Sequence, residues 1–136
     1  MLGHDGTRHM VGNAKGLPVD ILPGELDDDT EAALLDESKN IKWAAKLGSQ
    51  AYGNTVVAGG RVYVGTNNES PRDEKQQGDR GVLMALDEKT GEYLWQLVIP
   101  KLGAGKVSDW EYVGLYSSPA VEGDRMWLVT NRGEVI

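Results

Sequence analysis

Side chains able to supply oxygen ligands or take a proton are scattered along this sequence, and their spacing decides what they can do. Asn67, Asn68 and Glu69 stand side by side, and Asp109 lies further on. Together they offer oxygens for a hard cation, or a carboxylate base. No mutual spacing binds them into one set: the first three open the polar run "NNESPRDEKQQGD", and Asp109 falls in a separate one, "KLGAGKVSDWE". The plainer reading is loop polarity, so no residue is assigned a catalytic role. Asp27, Asp28 and Asp29 are adjacent, whereas a calcium loop needs alternating oxygen ligands and a glycine turn. His4 and His9 have no third ligand beside them and read as ordinary polar residues. No metal ligand is assigned. Trp110 and Tyr112, in "SDWEYVGLYSS", suit a binding surface, because large rings carry contact energy well. The expectation for both is nevertheless burial, with their loop folded back over its own sheet.

Bulk properties narrow the classes further. The chain has 136 residues, enough for a real core, and no cysteine, which removes disulfides and thiol catalysis. A net charge of −7 argues against nucleic acid, whose affinity rests on Lys and Arg at phosphates. No apolar run approaches the roughly 20 residues of a membrane span. The opening "MLGHDGTRHM" lacks the charged-then-apolar layout of a signal peptide, so the protein is cytosolic or a leader has been removed.

The elements that must position these residues are mostly strands. Residues 1–40 are rich in Gly and Pro without sustained periodicity and read as an irregular arm, with a short helix possible over "DDDTEAALLDES". From Ile41 onward, short apolar runs such as "RVYVGTN", "GVLMALD", "YLWQLVI" and "RMWLVTN" alternate with Gly, Asn and Asp. "AGGR" and "EGDR" are two-residue hairpin turns, since Gly-Gly and Gly-Asp tolerate positive φ.

An internal repeat then decides the architecture. "NTVVAGGRVYVGTNN" from Asn54 aligns with "SPAVEGDRMWLVTNR" from Ser118, bringing Val57 onto Val121, Gly59 onto Gly123 and Thr66-Asn67 onto Thr130-Asn131. Trp43 and Trp95 each open a copy, and each unit reads as a Trp strand, a hairpin, and further strands leading to the next Trp. That is a four-stranded antiparallel blade, which needs neighbours to cover its faces. The fold expected is all-β, a partial β-propeller behind an irregular N-terminal arm. The divisions are 1–40 (arm), 41–94 (first blade) and 95–136 (second, incomplete blade). The repeat breaks off at Ile136, where residues like "ALDEKTG" are due, so the chain reads as an N-terminal fragment.

"ALDEKTGEYLW" is the stretch between blades. Ala85 is small enough for a large ring to approach, Asp87 and Thr90 bond the turn's N–H groups, Gly91 takes the left-handed position, and Trp95 lies across a seam. The pattern Ala85-x-Asp87-x-x-Thr90-Gly91-x-x-x-Trp95 resembles the tryptophan-docking motif of the PQQ-type, or quinoprotein-like, β-propeller repeat. The resemblance covers residues 41–136, and the chain is similar to bacterial extracytoplasmic PQQ-repeat proteins.

That resemblance implies a periplasmic or extracytoplasmic place and two functional classes. One is a binding or protein-interaction scaffold of the cell envelope, like the lipoprotein of the outer-membrane assembly machinery. The other is a dehydrogenase that holds pyrroloquinoline quinone and calcium and oxidises alcohols or sugars. The docking motif belongs to both. Lacking a coherent quinone or calcium constellation, the chain is expected to be a scaffold with no cofactor of its own. Its expected partners are the remaining blades and another envelope protein.

Overall fold

The computed structural model describes residues 12–30, 32–103 and 110–136. Two compact units result, Met1–Lys46 and Leu47–Ile136. Among the described residues there is no α-helix, and every sheet is antiparallel.

In the first unit, β1 (Glu25–Leu26) pairs with β2 (Ala33–Leu34), followed by a single 3-10 turn at Leu35–Glu37. A bridge between Leu22 and Lys39 extends the pair. The helix expected over 27–38 is therefore replaced by a hairpin. Asp27 is the cause: its Oδ1 accepts from the Thr30 hydroxyl at 2.6 Å, the Thr30 N–H at 2.7 Å and the Asp29 N–H at 3.2 Å. A side chain that bonds its own following backbone offers the chain a turn in place of a helix. Trp43 lies in a stretch, residues 41–46, that forms no strand.

The second unit is built on one four-stranded sheet in the order β3 (Val56–Ala58), β4 (Arg61–Asn67), β5 (Arg80–Asp87), β6 (Tyr93–Pro100). Gly59 and Gly60 both have positive φ, 58° and 73°, which gives the β3–β4 turn the twist a tight hairpin needs. A second hairpin, β7 (Ala120–Glu122) and β8 (Arg125–Trp127), carries the other copy of the repeat. The two registers agree residue for residue: Val57 faces Val62 as Val121 faces Met126, and Ala58 faces Arg61 as Glu122 faces Arg125. Beyond β8, Leu128 and Ile136 exchange both backbone bonds, at 2.9 and 3.0 Å, and so begin a third strand.

Strand order within the sheet differs from the expected one. Trp95 sits on the fourth strand of the sheet that starts at Val56, not on the first strand of the next sheet. The turn dictates this, because Asp87 N–H donates to Glu92 O at 2.8 Å and closes a tight hairpin that returns β6 against β5. A boundary at 94/95 would cut that hairpin. Trp43 lies outside any strand.

One face of the sheet forms the core. Tyr63, Leu83, Ala85 and Ile99 pack with Leu115 and Leu128, and Val56, Ala58, Val121 and Met126 border them. The second hairpin thus lies over the first sheet, as stacked blades require. Gly65 makes the approach possible: a Cβ there would lie 3.1 Å from the Leu115 carbonyl carbon. The same closeness lets Leu115 N–H donate to Thr66 O at 3.0 Å.

Candidate functional site

The residues of interest gather where β4 ends and two inserted segments begin. Thr66 and Asn67 are buried there, and their polar atoms are fully used. Thr66 Oγ1 accepts from Gly48 N–H at 3.0 Å and donates to Gln50 O at 2.7 Å. Asn67 Oδ1 accepts from Ser49 N–H and Glu69 N–H, while its Nδ2 donates to Ser49 Oγ and to Tyr112 O at 2.6 Å. The Thr66 side chain thus holds the segment before β3, and the Asn67 side chain ties that segment to the one before β7.

Asn68, buried beside them, turns the other way. Its Nδ2 donates to Gln76 O and to Gly78 O, so it holds the base of the 69–79 insertion. Further bonds brace that insertion from within: Gln76 N–H to Asp73 O, Lys75 N–H to Asp73 Oδ1, and Arg80 Nε to Gln77 O. Arg72 places its guanidinium carbon 5.0 Å from the centre of the Tyr93 ring.

At the insertion's end stands Asp79. Its Oδ2 accepts from Lys101 Nζ at 2.7 Å and from Tyr112 N–H at 2.9 Å. Lys101 and Asp79 are only 19% and 21% exposed at their side chains, and Lys101 also donates to Trp110 O at 2.9 Å. The insertions of two successive repeats are clasped by one largely buried ion pair. Tyr112 takes φ 56° to present its N–H and C=O to opposite partners, a conformation seldom adopted by large side chains.

The sequence-selected residues fall out as follows. Asn67 and Asn68 are structural amides, spent on main-chain groups and the Ser49 hydroxyl, and Glu69 accepts from that same hydroxyl. Among the described residues, no group of three or more His, Cys, Asp or Glu side chains stands together where it could hold a metal ion. Asp109, His4 and His9 lie outside the described residues. Trp110 is 77% exposed, which corrects the expected burial, while Tyr112 is half-buried. Its loop is anchored through the Trp110 carbonyl rather than its ring, and the indole is left outside. The residues expected as a docking motif lie in and beside one turn: Ala85 is fully buried opposite Trp95, Asp87 Oδ1 accepts from Lys89 N–H, Thr90 N–H and the Thr90 hydroxyl, and Gly91 has φ 75°. Their carboxylate, Asp87, is held below its ordinary pKa chiefly by the Thr90 N–H.

Sequence reasoning did not find the Asp79–Lys101 clasp, because nothing local links those residues. It also did not find the Asp27 turn, although "DDDT" and "DEKT" share one spacing. In both, Oδ1 accepts from the same three groups, and Asp27 N–H donates to Ala32 O as Asp87 N–H does to Glu92 O.

A repeated hairpin register, stacked antiparallel sheets and an Asp-x-x-Thr-Gly turn facing a Trp are the marks of a PQQ-type repeat. Residues 26–136 match the family described as outer membrane protein assembly factor BamB. The chain belongs to this PQQ-type repeat family. No curated protein and no solved structure matches it. The family match begins at Leu26 and so takes in the Asp27 turn of the first unit. Among the described residues of this PQQ-type chain, no helix is long and apolar enough to cross a membrane.

Proposed function

We propose that this PQQ-type repeat chain is a propeller module whose work is to bind another protein in the cell envelope. One observation carries the reading: the two insertions, which the sheets do not need, are clasped to each other by Asp79 and Lys101. The described ends of these two insertions, joined at Asp79, Lys101, Trp110 and Tyr112, offer a preformed surface, and preformed surfaces bind without a large ordering cost. Trp110 is exposed beside that clasp and supplies the kind of ring that anchors interfaces. The family description, an outer-membrane assembly factor, supports an extracytoplasmic place and a protein partner.

The test uses the intact protein isolated from its own envelope fraction with bound proteins attached. Wild type is expected to retain a partner that Trp110→Ala and Asp79→Ala release. A dye-reduction assay with pyrroloquinoline quinone, calcium and alcohols or sugars is run in parallel. Turnover there, with no retained partner, would replace the scaffold reading with the dehydrogenase one.

A further inference from the structure

The hairpin of the first unit repeats the one that joins β5 to β6. Asp27 Oδ1 accepts from the Thr30 N–H at 2.7 Å, Asp87 Oδ1 from the Thr90 N–H at 2.9 Å, and each threonine hydroxyl donates to the same carboxylate oxygen. Each hydroxyl oxygen also accepts the N–H two residues on, from Ala32 at 3.4 Å and from Glu92 at 3.3 Å. The closing bond is 2.8 Å in both, from Asp27 N–H to Ala32 O and from Asp87 N–H to Glu92 O. Register agrees as well, since Leu26 faces Ala33 as Leu86 faces Tyr93. One difference is that Glu25 faces Leu34 directly, whereas Ala85 faces Trp95 across a bulge. β1 and β2 thus correspond to the third and fourth strands of a blade.

Cover is what separates the two copies. β5 has β4 on its other side, and Leu86, opposite Val62, is 2% exposed. β1 has no strand on that side among the described residues, and Leu26, in the place of Leu86, is 64% exposed. β6 ends its own sheet, so β2 lacks nothing by comparison. An open edge pairs readily with another strand. The covered copy shows which kind of strand this edge takes.

We propose that the open edge of β1 receives, antiparallel, the second strand of a Gly-x-Arg hairpin from a further repeat of the same polypeptide, so that β1 and β2 complete a blade begun elsewhere in the chain. Both repeat hairpins have that form, Gly59-Gly60-Arg61 and Gly123-Asp124-Arg125. In the covered copy Arg61 faces Asp87 and Val62 faces Leu86. The incoming strand accordingly sets an arginine opposite Asp27 and an apolar residue opposite Leu26. A second copy of these 136 residues does not fit the place. Its two hairpins already have a third strand alongside, β5 for the first and the strand that Ile136 begins for the second. A two-stranded pair is too small to bury its own leucines, and the added hairpin takes Leu26 out of water.

The test uses the intact protein with Leu26→benzoylphenylalanine, a photo-crosslinking side chain. Irradiation is expected to join it, within one molecule, to the residue after the arginine of a Gly-x-Arg turn, as read by mass spectrometry of the digest. Leu26→Glu is expected to lower the melting temperature by about 3 °C or more, because it sets a carboxylate at an apolar contact. Leu17→Glu, 71% exposed and outside the hairpin, is expected to leave it unchanged. The Leu26 side chain makes none of the turn's hydrogen bonds, so both Leu26 variants keep the turn. Crosslinks to a second copy or to a foreign protein, or no crosslink at all, would overturn the proposal. A Leu26→Glu protein as stable as wild type would overturn it too.

Discussion

Trp95 lies across Ala85 from Tyr63, and the two rings meet with centroids 6.0 Å apart at an interplanar angle of 53°. The register explains the meeting, since Tyr63, Ala85 and Trp95 are successive partners across β4, β5 and β6. A small residue on the middle strand leaves a trough that two large side chains fill from either side. Tilted aromatic pairs at this separation add modestly to what burial alone provides.

Trp95→Ala is therefore expected to cost about 2–3 kcal/mol in urea denaturation, below the full range for a buried Trp, because the ring remains partly exposed. Ala85→Leu is expected to cost about 1–3 kcal/mol by filling the trough. If the Ala85 change were neutral while the Trp95 change was large, the rings would not depend on the trough.

The Asp87–Gly91 turn has a pH signature. Asp87 is held below its ordinary 3.8 by the Thr90 N–H, then by the Lys89 N–H, with burial opposing weakly. Its folded pKa lies below the unfolded one, so it contributes stability above the unfolded value. That contribution is lost as pH falls through the folded value. Melting temperature should drop as pH descends below 3.8, and Asp87→Asn should flatten the drop while lowering stability at neutral pH. Asp27, lowered first by the Thr30 hydroxyl, acts in the same direction, so the double variant should flatten the acid limb further.

What the sequence made legible follows from how local each feature is. The hairpin at Gly59-Gly60 and the turn at Asp87–Gly91 are set by residues a few positions apart, and both are where their types require. The strand order went astray at Trp95 because a Trp can cover a seam from either the first or the last strand of a blade. Only the closure of the Asp87–Glu92 turn distinguishes the two. The 27–38 segment reads as a possible short helix capped at Asp28 or Asp29, yet the Asp27 carboxylate redirects it. Asp79 and Lys101 sit in separate insertions, and no periodicity reports that two loops of different repeats will meet.

The clasp makes the first insertion less dispensable than its charged, Pro-containing composition suggests. Asp79→Ala removes a charged partner of the largely buried Lys101 and the acceptor of Tyr112 N–H, for an expected loss of about 1–3 kcal/mol. Removing residues 70–75 alone, and keeping Asn68 bonded to Gln76 and Gly78, should cost under about 1 kcal/mol. Thermal melts of the two variants separate the clasp from the loop's tip. Equal losses would mean that the tip carries stability through Arg72 on Tyr93.

Asn67 and Asn131 occupy the same place in the two copies and should respond unequally. Asn67 uses both ends of its amide, holding Ser49 and Glu69 through Oδ1 and Ser49 and Tyr112 through Nδ2. Asn67→Ala strands those groups in a buried place and is expected to cost about 2–4 kcal/mol. Asn131 Oδ1 is buried with no partner, packed where a Cβ on Gly81 would lie 2.7 Å away. Deleting an acceptor that was never satisfied removes a penalty along with the packing. Asn131→Ala is accordingly expected to stay within about 0.5 kcal/mol of wild type. Chemical denaturation of the two variants side by side measures the difference. A loss at Asn131 as large as that at Asn67 would show that both copies of the Thr-Asn pair bear the same load.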